Sequence, residues 1–175
     1  MKSVVKKCVV IALSVMFLAS AGYAADAKYS ADTIQKVDEY KILKRDKKDM
    51  PESLAGITNI KAEDLKSWLD QGKKFILLDN RPADEYEKEH IPGAIRLNSD
   101  DILEDSKLAA QLGLKKDDVI ANYCNGVKCW RSPATSVMLH SLGYKNINWY
   151  RDGLPDWAKK GYATTEGKEP GAWKK

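Results

Sequence analysis

Beyond residue 57 the chain repeats one pattern: a short apolar run, then a segment whose apolar residues recur at helical spacing. The run Phe75-Ile76-Leu77-Leu78 has no polar position, so a strand formed there hides both of its faces. Strands of that kind belong to parallel sheets, whose crossover connections lay helices over both surfaces. This feature sets the fold class as α/β, an open parallel sheet with helices on both faces.

The other elements follow from the same alternation. Residues 57–61 read as a short strand, and 62–71 as a helix carrying Leu65, Trp68 and Leu69 on one face until Gly72 stops it. Residues 81–89 give one or two polar helical turns, 94–97 a strand, 102–112 a broken helix and 119–123 a further strand. Ser132 is expected as an N-cap with Pro133 at the first helical position. Ala134, Val137, Met138 and Leu142 then form an inward stripe until Gly143 ends the helix, which leaves His140 on the solvent side. Residues 147–150 make a final strand and 154–160 a last helix. One domain over 53–161 results, and 162–175 reads as a loose tail with Trp173 as its potential pin.

The N-terminal part carries a different message. Lys2, Lys6 and Lys7 precede an uncharged apolar run and then the small residues Ala21, Gly22 and Ala24. Basic, apolar and small in that order marks residues 1–24 as a secretory signal peptide, with cleavage expected after Ala24. The apolar run is shorter than the roughly 20 residues of a spanning helix, so no stable membrane insertion is expected after cleavage. The localisation implied is periplasmic, an oxidising and exported environment. Residues 25–52 are a charged extension in which Ile34, Val37, Tyr40 and Leu43 recur every three residues behind Ser30 or Asp32, the pattern of a short amphipathic helix. The pattern leaves open whether that helix docks on the domain or hangs free.

Charge narrows the partners. The 175 residues hold 29 Lys and Arg against 25 Asp and Glu, and three of the four excess positive charges lie in the signal segment. A chain so close to neutral lacks the field that nucleic-acid binding requires. The three cysteines are too few for a disulfide framework, and Cys8 leaves with the signal.

The two remaining cysteines share one loop. In open α/β sheets chemistry gathers beyond the carboxyl ends of the strands, and Cys124 stands there, directly after the strand ending in Tyr123. Loop amides, the positive end of the following helix, and Lys128 or Arg131 would all favour a thiolate over a thiol. Cys124 is therefore the candidate catalytic nucleophile, with Asn125, Gly126, Val127, Lys128, Trp130 and Arg131 as candidate substrate-binding residues. The plain alternative is a cysteine buried as a small hydrophobe. Cys129 has three readings: it resolves an adduct on Cys124, it forms a resting disulfide with Cys124, or it packs inward beside Trp130 and stays reduced. Trp130 either roofs the site or fills space between helix and loop. Two cysteines without a nearby histidine make a poor zinc site, and Trp130 supplies no axial ligand to a haem, so neither metal nor cofactor is expected.

The stretch Asp79-Asn80-Arg81-Pro82-Ala83-Asp84-Glu85-Tyr86, followed by His90-Ile91-Pro92-Gly93-Ala94, resembles the upstream signature of rhodanese domains. The resemblance continues through Tyr123-Cys124, Arg131-Ser132, Leu142-Gly143-Tyr144 and Gly153-Leu154-Pro155-Asp156-Trp157. It implies a rhodanese-like fold and a sulfurtransferase in which Cys124 carries a persulfide from a small sulfur-containing anion to a thiol or cyanide-like acceptor. Asp79, Arg81, Glu85 and His90 match positions that look structural in the family; Arg81 and Glu85 are also spaced to pair on one helical turn. The loop from Cys124 to Arg131 is two residues longer than the family's usual six, which changes what anion fits. Trp130 also occupies the arginine position of the related Cys-x5-Arg phosphatases, against an oxyanion phosphatase or reductase. The runner-up is a non-catalytic persulfide or redox-partner binding module in which Cys124 and Cys129 toggle between dithiol and disulfide.

Overall fold

The structure, a computed structural model, describes residues 29–174; the expected signal peptide lies outside the described residues. Five strands, β1 (Thr58–Asn59), β2 (Ile76–Asp79), β3 (Ala94–Arg96), β4 (Val119–Tyr123) and β5 (Asn146–Tyr150), form one sheet in the order β1-β5-β4-β2-β3. Every pairing is parallel. The helices are α1 (Ala31–Arg45), α2 (Ala62–Asp70), α3 (Ala83–Lys88), α4 (Ser99–Glu104), α5 (Leu108–Gln111), α6 (Arg131–Ser141) and α7 (Gly153–Lys159).

The apolar run behaves as its composition demands. Leu78 joins a core cluster with residues of α1, α4, α5 and α6, and Ile76 packs against the same cluster. Leu77 joins the opposite cluster with Leu65 of α2 and Trp157 of α7, against which Phe75 packs. Side chains of a strand alternate between faces, so four consecutive apolar residues serve two cores. Each fully buried Leu or Ile contributes roughly 1.5–3 kcal/mol relative to exposure.

Three details differ from the sequence reading, and one that it leaves open is decided. Helix α6 begins at Arg131, so Pro133 is its third residue and Ser132 is not the cap. A proline is tolerated there because the first turn's amides have no intrahelical acceptor. The Ser132 hydroxyl, fully buried, instead accepts the indole N–H of Trp149 at 2.9 Å. The amphipathic segment docks: α1 is capped by Ser30, whose hydroxyl accepts the Thr33 amide, and it buries Val37 and Tyr40 in the α6-side cluster.

The tail is not loose. His90 and Thr165 exchange backbone hydrogen bonds, the Gly93 amide donates to the Pro170 carbonyl, and Gly167 donates to Glu87. Trp173 does pin it, donating to Asp70 at 2.9 Å and meeting Trp157 edge-on. The third difference concerns Arg81, which pairs with Asp79 rather than with Glu85.

Candidate active site

The floor of the site is a buried polar lattice at the carboxyl ends of the strands. Asn122 donates to the Asn80 side chain and to the Ser132 carbonyl, both at 2.9 Å, and its own carbonyl accepts from Ser136. Asn80 donates onward to the Leu97 carbonyl. An amide inside an otherwise apolar strand is tolerable only when its hydrogen bonds are satisfied. Here they tie β2 and β4 to the first turn of α6, and so fix both ends of the loop between them.

Asp79 and Arg81 brace the same edge. The guanidinium Nε lies 2.9 Å and Nη2 2.6 Å from the carboxylate, with both side chains almost fully buried. Burial alone would disfavour the charged guanidinium, but the Asp79 hydrogen bond and charge outweigh it and hold the pKa above its ordinary value. Tyr123 lies in register with Asp79, and its hydroxyl accepts the Ile91 amide at 3.1 Å. Burial, reinforced by the Asp79 charge, pushes this phenol well above the usual tyrosine range. His90, fully buried, bonds through both ring nitrogens to the carbonyls of Tyr86 and Glu169 and stacks on Tyr86. It is scaffolding for the tail.

Cys124 follows β4 directly and is joined to Cys129 by a disulfide, with Cα atoms 6.2 Å apart. The Cys129 amide donates to the Gly126 carbonyl at 2.8 Å, closing a turn that folds the loop back on itself. The two cysteines are 1% and 5% exposed. The bond is at odds with the reading in which Cys129 stays reduced and is common to the other two.

The two flanks of this disulfide are held by different parts of the chain. On the Cys124 side, its carbonyl accepts the Leu154 amide at 3.0 Å. Gly153 has φ +65°, and a Cβ there would fall 2.2 Å from the Cys124 carbonyl oxygen and 2.6 Å from the Gly126 nitrogen, so only glycine fits. On the Cys129 side, the Val127 carbonyl accepts the Met50 amide at 2.8 Å. Arg151 clasps that segment, donating to the carbonyls of Pro51 and Met50. Trp130 is buried in the cluster that includes Val37 and Tyr40, with the Lys41 ammonium 5.0 Å from its ring centroid, so it fills space beneath α1.

The remaining sequence candidates take separate positions. Asn125 is exposed and its amide donates to the Glu85 carboxylate, while Lys128 is exposed at the loop tip. Arg131 turns to Asp100 at 2.9 Å, so its charge is engaged outside the loop. The pair forms where α4 lies against the start of α6, and there Ser99 also bonds the Arg131 carbonyl, while the guanidinium carbon lies 5.2 Å from the Trp130 ring centroid. Sequence reasoning missed Met50, Arg151 and Gly153 as supports of the loop. The Gly-Leu-Pro triplet after β5 was the visible signal for the last of them.

Beside the loop lies a groove of about 270 Å³ bounded by Arg81, Glu85, Lys88, Glu89, Asn125 and Leu154. Two cations face two carboxylates there, and Arg81 is already neutralised by Asp79. Among the described residues no cluster of His, Cys, Asp and Glu has metal-holding geometry. No helix among them is long and apolar enough to cross a membrane.

Comparison with known proteins places this geometry in context. A protein of Photorhabdus laumondii named tRNA uridine(34) hydroxylase is 34% identical over 103 residues, 58% of this chain and 28% of its own length. The chain spans between 28% and 55% of the length of the curated relatives it matches. The crystal structure of the Alr3790 protein from Anabaena matches with a TM-score of 0.54 and 28% identity, over 62% of this chain and 80% of that one. Thiosulfate sulfurtransferase from Pseudomonas aeruginosa shares the fold, with a TM-score of 0.52 at 20% identity over 77% of this chain and 23% of that one. The model of the rhodanese-like domain matches residues 61–160, which include β2 to β5 and the whole cysteine loop. On that match, the chain belongs to the rhodanese-like domain family.

Proposed function

We propose that this protein is a periplasmic sulfurtransferase that moves a sulfane sulfur through a persulfide on Cys124. The observation that carries the reading is the position of Cys124, at the carboxyl end of the central strand and ahead of α6 within the family-matched segment. A thiolate there displaces the leaving group of a sulfane-sulfur donor, keeps the terminal sulfur, and passes it to a nucleophilic acceptor. Loop amides oriented by the turn at Gly126 and the start of α6 stabilise the anionic intermediate.

The charge of the groove argues about donor class. With Arg81 already paired to Asp79, Glu85 and Glu89 face Lys88 alone, so a dianion gains little there and organic thiosulfonates and persulfides fit better than thiosulfate. Incubation of the reduced Cys129→Ser chain, in which no second thiol can displace the adduct, with a donor should add one sulfur atom by mass, and Cys124→Ser should abolish the gain. An adduct retained in Cys124→Ser would overturn the assignment. The periplasmic location has its own check: osmotic-shock fractionation should recover a chain beginning at Ala25.

The Cys124–Cys129 disulfide favours a second reading, a redox-partner module that toggles between dithiol and disulfide without moving sulfur. Reversible thiol titration with no sulfur uptake from any donor would establish it over the first.

A further inference from the structure

Resting on the reading of Cys124 as a persulfide carrier, we propose that Cys129 is itself the acceptor. It resolves the Cys124 persulfide inside the loop and expels the carried sulfur as hydrosulfide, which makes the protein a sulfane-sulfur reductase supplied with electrons by an external dithiol.

Three observations converge on this step. The Cys124 and Cys129 sulfurs are within bonding distance, since they form the disulfide. The loop is built to keep them so: the Cys129 amide is tied to Gly126, Val127 is tied to Met50, and the Cys124 carbonyl is tied to Leu154. A thiol held beside a persulfide reacts with an effective concentration that no free thiol in solution reaches. The adjoining groove of about 270 Å³ suits a small donor.

The chemistry balances without a further oxidant. The Cys124 thiolate first attacks the sulfane sulfur of the donor, forming Cys124–S–S⁻ and releasing the donor's remaining anion. Cys129 then attacks the inner sulfur of that persulfide. The new Cys124–Cys129 bond forms as the inner-to-terminal S–S bond breaks, and the terminal sulfur leaves as HS⁻, carrying the proton given up by the Cys129 thiol. The sulfane sulfur gains two electrons and the cysteine pair loses two. Thiol–disulfide exchange with a dithiol then restores the starting state.

The test uses the full folded chain, reduced and freed of reductant, and supplied with thiosulfate or methanethiosulfonate. Their leaving groups are sulfite and methanesulfinate, so any sulfide derives from the transferred sulfur. The wild-type chain should release one sulfide per chain and end two hydrogens lighter than its dithiol form; added dithiothreitol should make the release continuous. Cys129→Ser and Cys129→Ala should stop at the persulfide, with sulfide release at least tenfold lower. The inference is overturned if the wild type holds its persulfide as stably as the Cys129 variants, or if those variants release sulfide at the wild-type rate. Failure of every variant to gain sulfur from either donor, or from inorganic polysulfide read by mass, would sink the sulfurtransferase reading and this inference with it. A persulfide on all variants without sulfide would sink the inference alone.

Discussion

The two sides of the cysteine loop are supported by different kinds of structure. The Cys124 side rests on the sheet: β4 ends there, Asn122 and Asp79 brace the strand ends, and Gly153 and Leu154 close against its carbonyl. The Cys129 side rests on residues 29–60, which lie outside the family-matched segment: Met50 holds Val127, and α1 covers Trp130. One side is therefore built by the common domain, and the other depends on an N-terminal extension whose opening can be followed separately. The contrast assigns Cys124 to the common domain and the support of Cys129 to the extension.

Changes on the Cys124 side should break the fold and the chemistry together. Asp79→Asn leaves the Arg81 guanidinium buried without its counter-charge, at a cost of about 3–5 kcal/mol in denaturant unfolding. A loss under about 1 kcal/mol would mean that Arg81 escapes to solvent and that this side is softer than described. Gly153→Ala places a methyl group into the Cys124 carbonyl at a left-handed backbone position. It should cost on the order of 3 kcal/mol and slow sulfur loading on the order of a hundredfold, read by unfolding curves and intact mass.

Changes on the Cys129 side should loosen the extension and leave the sheet alone. Arg151→Ala removes two hydrogen bonds to the Met50–Pro51 segment, for a loss of about 1–2 kcal/mol. Hydrogen exchange should report faster opening of 31–54 while β4 stays protected; loss of protection in both would erase the distinction. Lys41→Ala, which removes the cation over Trp130, should cost only about 0.5–1 kcal/mol and shift the tryptophan emission. The titration of Tyr123 acts only at alkaline pH, because its folded pKa is raised by burial and then by Asp79. An unfolded tyrosine ionises near pH 10 while the buried one stays protonated. Its contribution is therefore complete below about pH 10 and lost as pH climbs above it toward the folded value. Tyr123→Phe should flatten that alkaline decline in thermal-melt stability, whereas an unchanged slope would move the titration to another tyrosine.

The sheet was legible because its signal is compositional. Phe75 to Leu78 and the run ending at Tyr123 carry apolar patterns that a parallel strand alone accommodates, and Cys124 follows from where the second of them stops. What escaped depends on partners remote in sequence. Ser132-Pro133 has the composition of a helix start, yet the Trp149 indole claims the serine hydroxyl. The Arg131–Asp100 pair joins two helices that no local pattern connects. The tail is held largely by backbone groups of Thr165, Gly167 and Pro170, and backbone hydrogen bonds leave no mark in side-chain identity. The cysteine pairing stood among the open alternatives, because spacing permits a bond without requiring it.

The short reach of the disulfide has a thermodynamic consequence. A cross-link stabilises a fold chiefly by removing freedom from the unfolded chain, and that gain grows with the logarithm of the loop it closes. Closing five residues, as here, removes on the order of 2 kcal/mol of chain entropy, against about 5 for a hundred-residue loop. The remainder of the fold rests on two apolar clusters and on hydrogen bonds that do not involve sulfur. Opening the bond should therefore leave a folded chain, so a change in the redox state of the loop need not cost the fold.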